Sequence, residues 1–392
     1  MAWNLRGEAA VVGIGRTEFS RASGRSVADL AVAACRGATE DAGVDLQEVD
    51  GIICYGLNDS VHPQTVASAF GLSNLRYNLN LFGGGNICVA TVAYAAAAIN
   101  AGLASNVLIF RALNGRSGHR LGGGGREQDF FQARDEAQYT YPFGWFSYPQ
   151  YIAMSARRHM IKYGSTSEDL AHIAVTMRAN AVDNPRAVMR KPISFEEHQA
   201  SRMIADPLRL FDVCLETDGA CAVLVTSADR AQDTRHGPIF LLGAATGGVR
   251  RPGFAFDGFF MNNDMADLYA GEIAVPLWKS AGLGPEDMDI ASIYDCFTFS
   301  VLSQLEGLGF CRPGEGGAFV RDGNIGLKGT LPVNTGGGML SEAYVHGLNG
   351  LVELVEQLRG GSGIRQVKGA HVGVATGFGV TTGCAIVLAD SK

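Results

Sequence analysis

Two glycine triplets, at positions 83–85 and 336–338, mark where this chain could do chemistry, because each comes directly before a stretch of helical character. The first N–H groups of a helix have no partner inside it, so they attract negatively charged oxygen. Two thiols are candidate nucleophiles: Cys88, in the first of these helical stretches, and Cys296, in the segment Tyr294-Asp295-Cys296-Phe297. A thiolate gains from a helix start, and Cys88, three residues beyond Gly85, would lose that position. The triplets therefore predict an oxyanion site, with or without a nucleophile.

Other common chemistries have little support in the sequence. The eight cysteines include no C-x-x-C pair and the eight histidines no H-x-x-x-H pair, so we expect no metal site. Gly13-Ile14-Gly15 follows a predicted strand, but Glu18 occupies the third glycine position of a dinucleotide loop. We therefore expect no cofactor bound to this chain.

Composition and charge further limit the classes of protein to which this chain could belong. The chain has 392 residues, of which 47% are hydrophobic, and a formal charge of −7 without a basic run. Nucleic acid is therefore not an expected partner. We find no apolar stretch of about 20 residues and no signal-peptide pattern. The sequence thus predicts a cytoplasmic protein that does not span a membrane.

The elements that must position these residues form an internal repeat. Strand and helix patterns alternate, which predicts an α/β fold, and each glycine triplet is followed by a helix and later by a buried strand near Gly219 or Gly383. We predict a first half over residues 1–235 and a second over 236–392. Predicted helices include 27–42, 264–281, 300–308 and 339–359, and predicted strands include 51–55, 106–111, 239–245, 290–294 and 372–375.

The first half is longer than the second because it contains an insertion at about 114–207. This segment has a glycine run at 122–125 and a predicted helix at 167–181. It is also crowded with aromatic residues, which could cap an apolar pocket or form a core or subunit contact of their own: Phe130, Phe131, Tyr139, Tyr141, Phe143, Trp145, Phe146, Tyr148 and Tyr151.

Motifs along the whole chain resemble the thiolase superfamily, in its lipid-transfer-protein (sterol-carrier thiolase-like) branch. They are the opening Val12-Gly13-Ile14-Gly15-Arg16, the helix end Ala98-Ile99-Asn100-Ala101-Gly102, Tyr294-Asp295-Cys296-Phe297, Asn334-Thr335-Gly336-Gly337-Gly338 and Ala343-Tyr344-Val345-His346-Gly347. The resemblance implies two similar βαβαβαββ halves in five α-β-α-β-α layers, a homodimer, and acyl-CoA substrates.

Departures from the thiolase pattern change the implied chemistry. Counted back from Ile99, the position of the thiolase nucleophilic cysteine falls on Gly85. Tyr294 stands where sterol-carrier thiolases have a histidine, and Tyr344 stands where a second catalytic histidine is found. The third catalytic loop, Ala375-Thr376-Gly377-Phe378-Gly379, has no cysteine. Two phenols thus replace two imidazoles, and both thiols are missing.

This pattern resembles the retro-aldolases of bacterial steroid side-chain degradation. The resemblance implies cleavage of a 17-hydroxysteroid 20-carboxyl-CoA to a 17-ketosteroid and propanoyl-CoA, with coenzyme A entering as part of the substrate. It also implies a small OB-fold acyl-CoA-binding partner in an α2β2 assembly. Tyr294 and Tyr344 are the expected acid/base pair, with Tyr344 favoured as the base.

Further residues are candidates for contact with the substrate or coenzyme A, although tight packing also explains the glycines and a structural role also explains His346: Gly83, Gly84, Gly85, Asn334, Gly337, Gly338 and His346. A thiolase-type acyltransferase using Cys88 or Cys296 and a non-catalytic acyl-CoA or lipid carrier remain alternatives.

Overall fold

The computed structural model describes residues 5–118, 137–145, 147–249 and 264–392. Its strands are β1 (Ala9–Arg16), β2 (Gly51–Gly56), β3 (Tyr77–Phe82), β4 (Asn106–Asn114), β5 (Met203–Ala205), β6 (Leu208–Arg209), β7 (Asp218–Ser227), β8 (Ile239–Gly248), β9 (Ile290–Ser292), β10 (Val372–Gly379) and β11 (Thr382–Ala389). Strands β5 and β6 form a separate hairpin, and the others form one mixed sheet in the order β3-β2-β4-β7-β1-β8-β11-β10-β9.

Helices cover this sheet. They are α1 (Val27–Ala42), α2 (Pro63–Phe70), α3 (Ala90–Asn100), α4 (Ala137–Thr140), α5 (Tyr148–Tyr163), α6 (Ser167–Val182), α7 (Phe195–Ala200), α8 (Ala228–Ala231), α9 (Tyr269–Ala281), α10 (Thr298–Gly307), α11 (Gly316–Arg321), α12 (Gly338–Ser341) and α13 (Leu348–Leu358). Short 3-10 turns occur at Leu46–Glu48, Gly85–Ile87, Tyr141–Phe143, Leu210–Asp212, Pro285–Asp287 and Gly363–Arg365. In the parts of the chain that are described, no helix has the length and apolar character needed to cross a membrane.

The sheet consists of two half-sheets with mirrored strand order. The first half supplies β3-β2-β4-β7-β1 and the second supplies β8-β11-β10-β9. The halves join where β1 pairs with β8 through Ala10–Phe240 and Val11–Ile239. The strand of the second half that would match β3 is reduced to one bridge between Ala291 and Val333.

The layering follows from which strands each helix contacts. Helices α3 and α13 both contact strands of the two half-sheets, so they form the central layer. Helix α1 packs on β1, β4 and β7, whereas α9 packs on β8 and β11. The predicted fold class, with two similar halves in five α-β-α-β-α layers, is confirmed.

The Gly13-Ile14-Gly15 motif owes its glycines to packing. A Cβ atom at Gly13 would overlap the carbonyl of Ala38, and one at Gly15 would overlap the carbonyl of Ala34. Both carbonyls belong to α1, which has the predicted bounds of 27–42 and lies between its N-cap Ser26 and the left-handed Gly43. The close approach of α1 to β1 explains the motif without a nucleotide.

One predicted helix is wrong, and the difference affects the segment that carries Tyr344 and His346. Residues 339–359 form not one helix but α12 and α13, separated by an irregular segment at 342–347 that we call the 342–347 break. His346 and Gly347 have φ angles of 46° and 84°, which a right-handed helix does not allow. Helix α9 also begins at Tyr269 rather than at residue 264, and β9 ends at Ser292, before Tyr294.

The predicted insertion falls between β4 and β7 and contains α4 to α7. Helix α6 packs against α10, α11 and α12, next to the second glycine triplet. Of the predicted aromatic cap, Tyr151 is buried with its ring 4.2 Å from that of Trp145, whereas Tyr139 and Phe143 are exposed. Phe130, Phe131, Phe146 and the glycine run at 122–125 lie outside the described residues. The boundary between the halves at 235/236 stays a prediction.

Candidate active site

The two predicted tyrosines come together. Tyr294 follows β9, and Tyr344 lies in the 342–347 break between α12 and α13. Their hydroxyl oxygens are 3.5 Å apart. The side chain of Tyr344 is half-buried, and only 4% of Tyr294 is exposed. The pair therefore presents two phenols at one point, although their sequence positions are fifty residues apart.

The backbone and ring of Tyr294 are held firmly. Its N–H donates to the Thr376 hydroxyl at 2.9 Å, and its carbonyl accepts from the Gln304 amide at 2.9 Å and the Ser300 hydroxyl at 3.0 Å. Its ring lies nearly parallel to that of Phe378, with centroids 6.4 Å apart. These contacts do not involve the phenol hydroxyl, whose described partner is the hydroxyl of Tyr344.

Gly85 makes room for this phenol. A Cβ atom built on Gly85 would overlap Cζ, Cε2 and Oη of Tyr294. The position that the sequence aligns with the thiolase nucleophile therefore has no space for any side chain while Tyr294 occupies its site. A cysteine at position 85 and a tyrosine at position 294 are therefore sterically incompatible in this arrangement.

His346 is anchored by a buried arginine. Its Nδ1 accepts from Nε of Arg111 at 3.0 Å and lies 2.7 Å from Nη2. Arg111 also forms an ion pair with Asp59 at 2.6 Å, and the Tyr55 hydroxyl donates to the His346 carbonyl at 2.9 Å. Burial and the charge of Arg111 lower the pKa of His346 to about 3. The imidazole is therefore neutral at physiological pH.

His346 and Tyr344 face the same region. A continuous helix would have placed residues two apart on different faces, but the 342–347 break removes that constraint. The two rings meet edge to face with centroids 4.9 Å apart. Nε2 of His346 also lies 3.3 Å from where a Cβ of Gly84 would be. The structure thus brings His346 to the first glycine triplet beside the tyrosine pair.

The N–H groups of that triplet differ in availability. Gly83 donates to the Gly56 carbonyl at 3.0 Å, and Gly84 donates to the Asn86 side chain at 3.1 Å. Among the described residues, the Gly85 N–H has no partner. Of the three glycines predicted to bind the thioester, Gly85 is therefore the one with a free donor.

The second triplet has internal partners. The Asn334 side chain bonds both backbone groups of Ile293, at 2.9 and 2.8 Å. A Cβ on Gly337 would lie 2.6 Å from that of Ala181, and one on Gly338 would overlap the Asp295 carboxyl. Asn334, Gly337 and Gly338 thus support the segment that carries Tyr294, and their predicted substrate contacts stay a prediction.

The Asp295 carboxyl takes the place of an anion at the second triplet. It accepts from the N–H groups of Met339 and Leu340, at 2.8 and 3.2 Å, at the start of α12. Burial raises the pKa of Asp295 to about 7.

Neither candidate thiol is activated. Cys88 is fully buried, and its Sγ lies 3.8 Å from the Thr376 carbonyl. Cys296 is half-buried with Sγ 3.8 Å from the Ser300 hydroxyl. Burial raises the pKa of both thiols, which disfavours the nucleophilic thiolate.

The environment distinguishes the two phenols. Burial raises the pKa of Tyr294 and of Tyr344. The positive charge of Arg111 acts in the opposite direction on the pKa of Tyr344, and Arg111 is not among the groups that influence Tyr294. The surroundings therefore favour the tyrosinate at Tyr344 over the one at Tyr294.

Sequence reasoning missed the residues that hold the site, namely Arg111, Asp59, Tyr55, Gln304 and Thr376. Arg111 could have been singled out from the sequence, because it is the one charged residue in the apolar strand sequence Asn106–Asn114. In the structure it is fully buried. A buried arginine requires acceptors, and these are Asp59, the Ala112 carbonyl and His346.

Comparison with known proteins agrees with this fold and site. Residues 261–389 match the family model described as thiolase C-terminal domain-like. A steroid side-chain-cleaving aldolase from Thermomonospora curvata is 42% identical over 98% of this chain and 99% of its own length. A 17-hydroxy-3-oxo-4-pregnene-20-carboxyl-CoA lyase from Mycobacterium tuberculosis is 42% identical over 96% of this chain and 98% of its own.

A solved structure titled Ltp2-ChsH2(DUF35) aldolase is also similar. It has a TM-score of 0.91 and 39% identity, and the match covers 99% of each chain. Together these findings place the chain in a defined class of the thiolase fold. The chain belongs to the thiolase superfamily, in the group that contains steroid side-chain-cleaving aldolases.

Proposed function

We propose that this chain is a carbon–carbon lyase that cleaves a 17-hydroxysteroid 20-carboxyl-CoA to a 17-ketosteroid and propanoyl-CoA. The observation that carries the proposal is the meeting of the Tyr294 and Tyr344 hydroxyls, 3.5 Å apart, over a glycine at the nucleophile position. The relatives from Thermomonospora curvata and Mycobacterium tuberculosis, both 42% identical over nearly the whole chain, support aldolase chemistry.

The reaction needs one base and one acid. The base removes the proton of the hydroxyl on carbon 17, and the oxygen lone pair forms the ketone as the bond from carbon 17 to carbon 20 breaks. The bonding electrons move into the thioester, giving an enolate of propanoyl-CoA. A proton donor then delivers a proton to carbon 20. All atoms balance without a thiolate or an external reactant.

Tyr344 is the proposed base and Tyr294 the proposed donor. A phenol titrates near pH 10, and a buried one titrates higher, so a tyrosine base needs groups that stabilise its anion. The charge of Arg111 supplies such stabilisation at Tyr344, and the Tyr294 hydroxyl, 3.5 Å away, can donate to the Tyr344 oxygen once that oxygen has lost its proton. Tyr294 lacks an equivalent cation, and the burial of its ring raises its pKa. It is better suited to give up a proton only to a strong acceptor such as an enolate.

We further propose that the chain uses no bound cofactor, coenzyme A entering as part of the substrate, and that it assembles with other chains. Strand β3 is an edge of the described sheet, and an edge strand is a template for pairing with a second copy. The description of the similar structure, Ltp2-ChsH2(DUF35) aldolase, names a DUF35 protein beside Ltp2. This supports a heterotetramer of two copies of this chain with two small OB-fold partners. Its cytoplasmic location stays a prediction.

Removing either hydroxyl tests the proposal. We expect Tyr294→Phe and Tyr344→Phe each to lower kcat by at least ~10², because each removes a proton-transferring group while keeping the ring. The assay follows release of propanoyl-CoA and 17-ketosteroid from 17-hydroxy-3-oxo-4-pregnene-20-carboxyl-CoA, with the DUF35 partner present. Undiminished turnover in both variants would refute the acid/base assignment.

Two matched controls separate the rival functions. Cys88→Ala and Cys296→Ala should keep most of the activity, because the proposed reaction forms no bond to sulfur. Loss of turnover in either, with an acyl–sulfur adduct in the mass spectrum of the wild type, would favour the acyltransferase. A wild-type chain that binds the thioester but never cleaves it, with its partner present, would favour the carrier.

A further inference from the structure

The buried group formed by His346, Arg111, Asp59 and Tyr55 is not used by the proton transfers described above. Arg111 lies on β4 and Tyr55 on β2, whereas His346 lies in the 342–347 break of the other half. Residues from both halves of the fold therefore hold the imidazole of His346 in place. The tyrosine pair beside it is held by other contacts. Several buried polar groups thus surround one histidine, which indicates that the position of this histidine matters for function.

The hydrogen bonds fix which nitrogen of the imidazole carries the proton. A guanidinium has donors only, and both Nε and Nη2 of Arg111 point at Nδ1 of His346, at 3.0 and 2.7 Å. Nδ1 must therefore be the acceptor, so in the neutral ring the proton is on Nε2. The neighbouring cation also opposes protonation of the ring, in agreement with its low pKa.

The Nε2–H points toward the first glycine triplet. Nε2 lies 3.3 Å from the place of a Cβ on Gly84, and within the described residues it has no hydrogen-bond partner. The next N–H along the chain, that of Gly85, is also without a described partner. Two donors without a described partner thus belong to residues that contact the phenols, since the His346 ring meets that of Tyr344 and Gly85 lies against Tyr294.

The backbone of His346 is held in a costly conformation. Its φ of 46° lies in the left-handed region, which is unfavourable for a residue other than glycine. The Tyr55 hydroxyl holds its carbonyl at 2.9 Å. Strain of this kind persists where the surroundings over-determine it, and it is frequent at active sites.

We infer that His346 is a catalytic hydrogen-bond donor that binds the thioester oxygen through Nε2–H, together with the Gly85 N–H, and that Arg111 is a positioning residue that fixes its tautomer. The inference rests on the proposed retro-aldol reaction, in which negative charge collects on that oxygen when the carbon–carbon bond breaks. A neutral donor of this kind stabilises an enolate without delivering its proton.

Kinetics of substituted His346 test the donor. His346→Phe removes it, and we expect kcat to fall by about 10²–10³, the usual effect of losing one oxyanion donor. His346→Gln places an amide N–H near Nε2 and should recover at least about a tenth of the wild-type kcat. His371→Gln, at an exposed histidine paired with Asp390, is the matched control and should leave kcat unchanged. Equal kcat in His346→Phe and wild type would overturn the inference.

A binding measurement tests the donor independently of cleavage. The probe is the 17-deoxy analogue of the substrate, which has no hydroxyl to deprotonate, with carbon-13 at its thioester carbonyl. In the wild-type complex with its partner, we expect a downfield shift of the carbonyl resonance on binding, and in His346→Phe the loss of most of that shift. An unchanged shift in His346→Phe would overturn the inference even if the variant folds poorly enough to lose activity.

The same probe separates the two proposals. If the wild type shifts the carbonyl resonance but releases no ketosteroid from the 17-hydroxy substrate, the retro-aldol function fails while His346 remains a thioester donor. If the wild type cleaves the substrate and His346→Phe changes neither kcat nor the carbonyl shift, the function stands and the donor role fails.

The role of Arg111 has its own measurement. Nitrogen-15 spectra of histidine-labelled wild-type protein, assigned with His346→Gln, should show Nε2 protonated and Nδ1 bare. Arg111→Met should shift the population toward the other tautomer or toward the charged ring. A wild-type spectrum with the proton on Nδ1 would refute the positioning role regardless of whether Arg111→Met folds.

Discussion

Gly85 and Tyr294 share one volume, so the substitution Gly85→Ala tests whether the phenol depends on the glycine. The added methyl would overlap Cζ and Oη of Tyr294, and overpacking of this kind costs about 1–3 kcal/mol. We expect a loss of that size in the free energy of unfolding, measured in urea, and a fall in kcat because the hydroxyl moves.

A double substitution provides the control for this overlap. Gly85→Ala combined with Tyr294→Ala should lose less stability than the two single changes added together, because removal of the ring removes the overlap. Gly85→Ala combined with Tyr294→Phe should show no such rescue, since the ring carbons remain. Additive losses in the alanine pair would contradict the shared volume.

The neutral state of His346 predicts how stability depends on pH. An unfolded histidine takes up a proton below about pH 6.5, whereas the folded ring, facing Arg111, Asp59, Tyr55 and Tyr344, stays neutral until about pH 3. The folded state therefore gains stability from this group above pH 6.5 and loses that gain as the pH falls toward 3.

Comparison with His346→Gln isolates this contribution, because glutamine does not titrate. The difference in free energy of unfolding between wild type and His346→Gln should be larger at pH 7.5 than at pH 4.5, each measured in urea. A difference that is constant or grows toward low pH would show that the folded imidazole is charged.

At the scale of elements, the sequence predicted regular structure well and the turn that carries the chemistry poorly. Helix α1 has the predicted bounds of 27–42, because local signals such as its N-cap serine and C-terminal glycine are sufficient there. Apolar periodicity alone joined α12 to α13, because Met339, Leu340 and Val345 continue the pattern of α13 and all are buried.

The contacts that interrupt this helical pattern come from residues distant in sequence. The Asp295 carboxyl caps the N–H groups of Met339 and Leu340, and Thr217 donates to the Tyr344 carbonyl at 3.2 Å and accepts from its N–H at 2.9 Å. Because these partners are distant in sequence, no local sequence pattern could predict the 342–347 break. The tyrosine pair was nevertheless predictable, because the motifs around it survive in sequence, whereas the support of His346 by Arg111 depends on strand pairing across the fold.

At the scale of the molecule, the site lies where the two halves meet. Gly85 and Arg111 come from the first half, and Tyr294, Tyr344 and His346 from the second. The central helices α3 and α13 contact strands of both halves; the first glycine triplet lies shortly before α3, and the second leads into α12, which the 342–347 break separates from α13. Neither half therefore contains a complete site, and the chain must fold as a whole before it can act.

The proposed assembly gives a prediction at this scale. Co-expression of the chain with the DUF35 protein of its own genome should give one species with the mass of two copies of each, measured by light scattering. Its kcat should exceed that of the isolated chain by at least ~10², because the proposed partner completes the acyl-CoA site. An isolated chain with full activity would contradict a required partner.

The space shared by residue 85 and residue 294 also constrains how such enzymes can arise. A protein with a thiol at the first position has no room for the phenol, and a protein with the phenol cannot regain the thiol by one codon change without displacing the ring. If such an enzyme arose from a protein with a cysteine at position 85, the loss of that cysteine had to come before, or together with, the placement of the phenol in its present site. Because the older reaction needs the thiolate, such a route loses acyl transfer no later than it gains aldol cleavage.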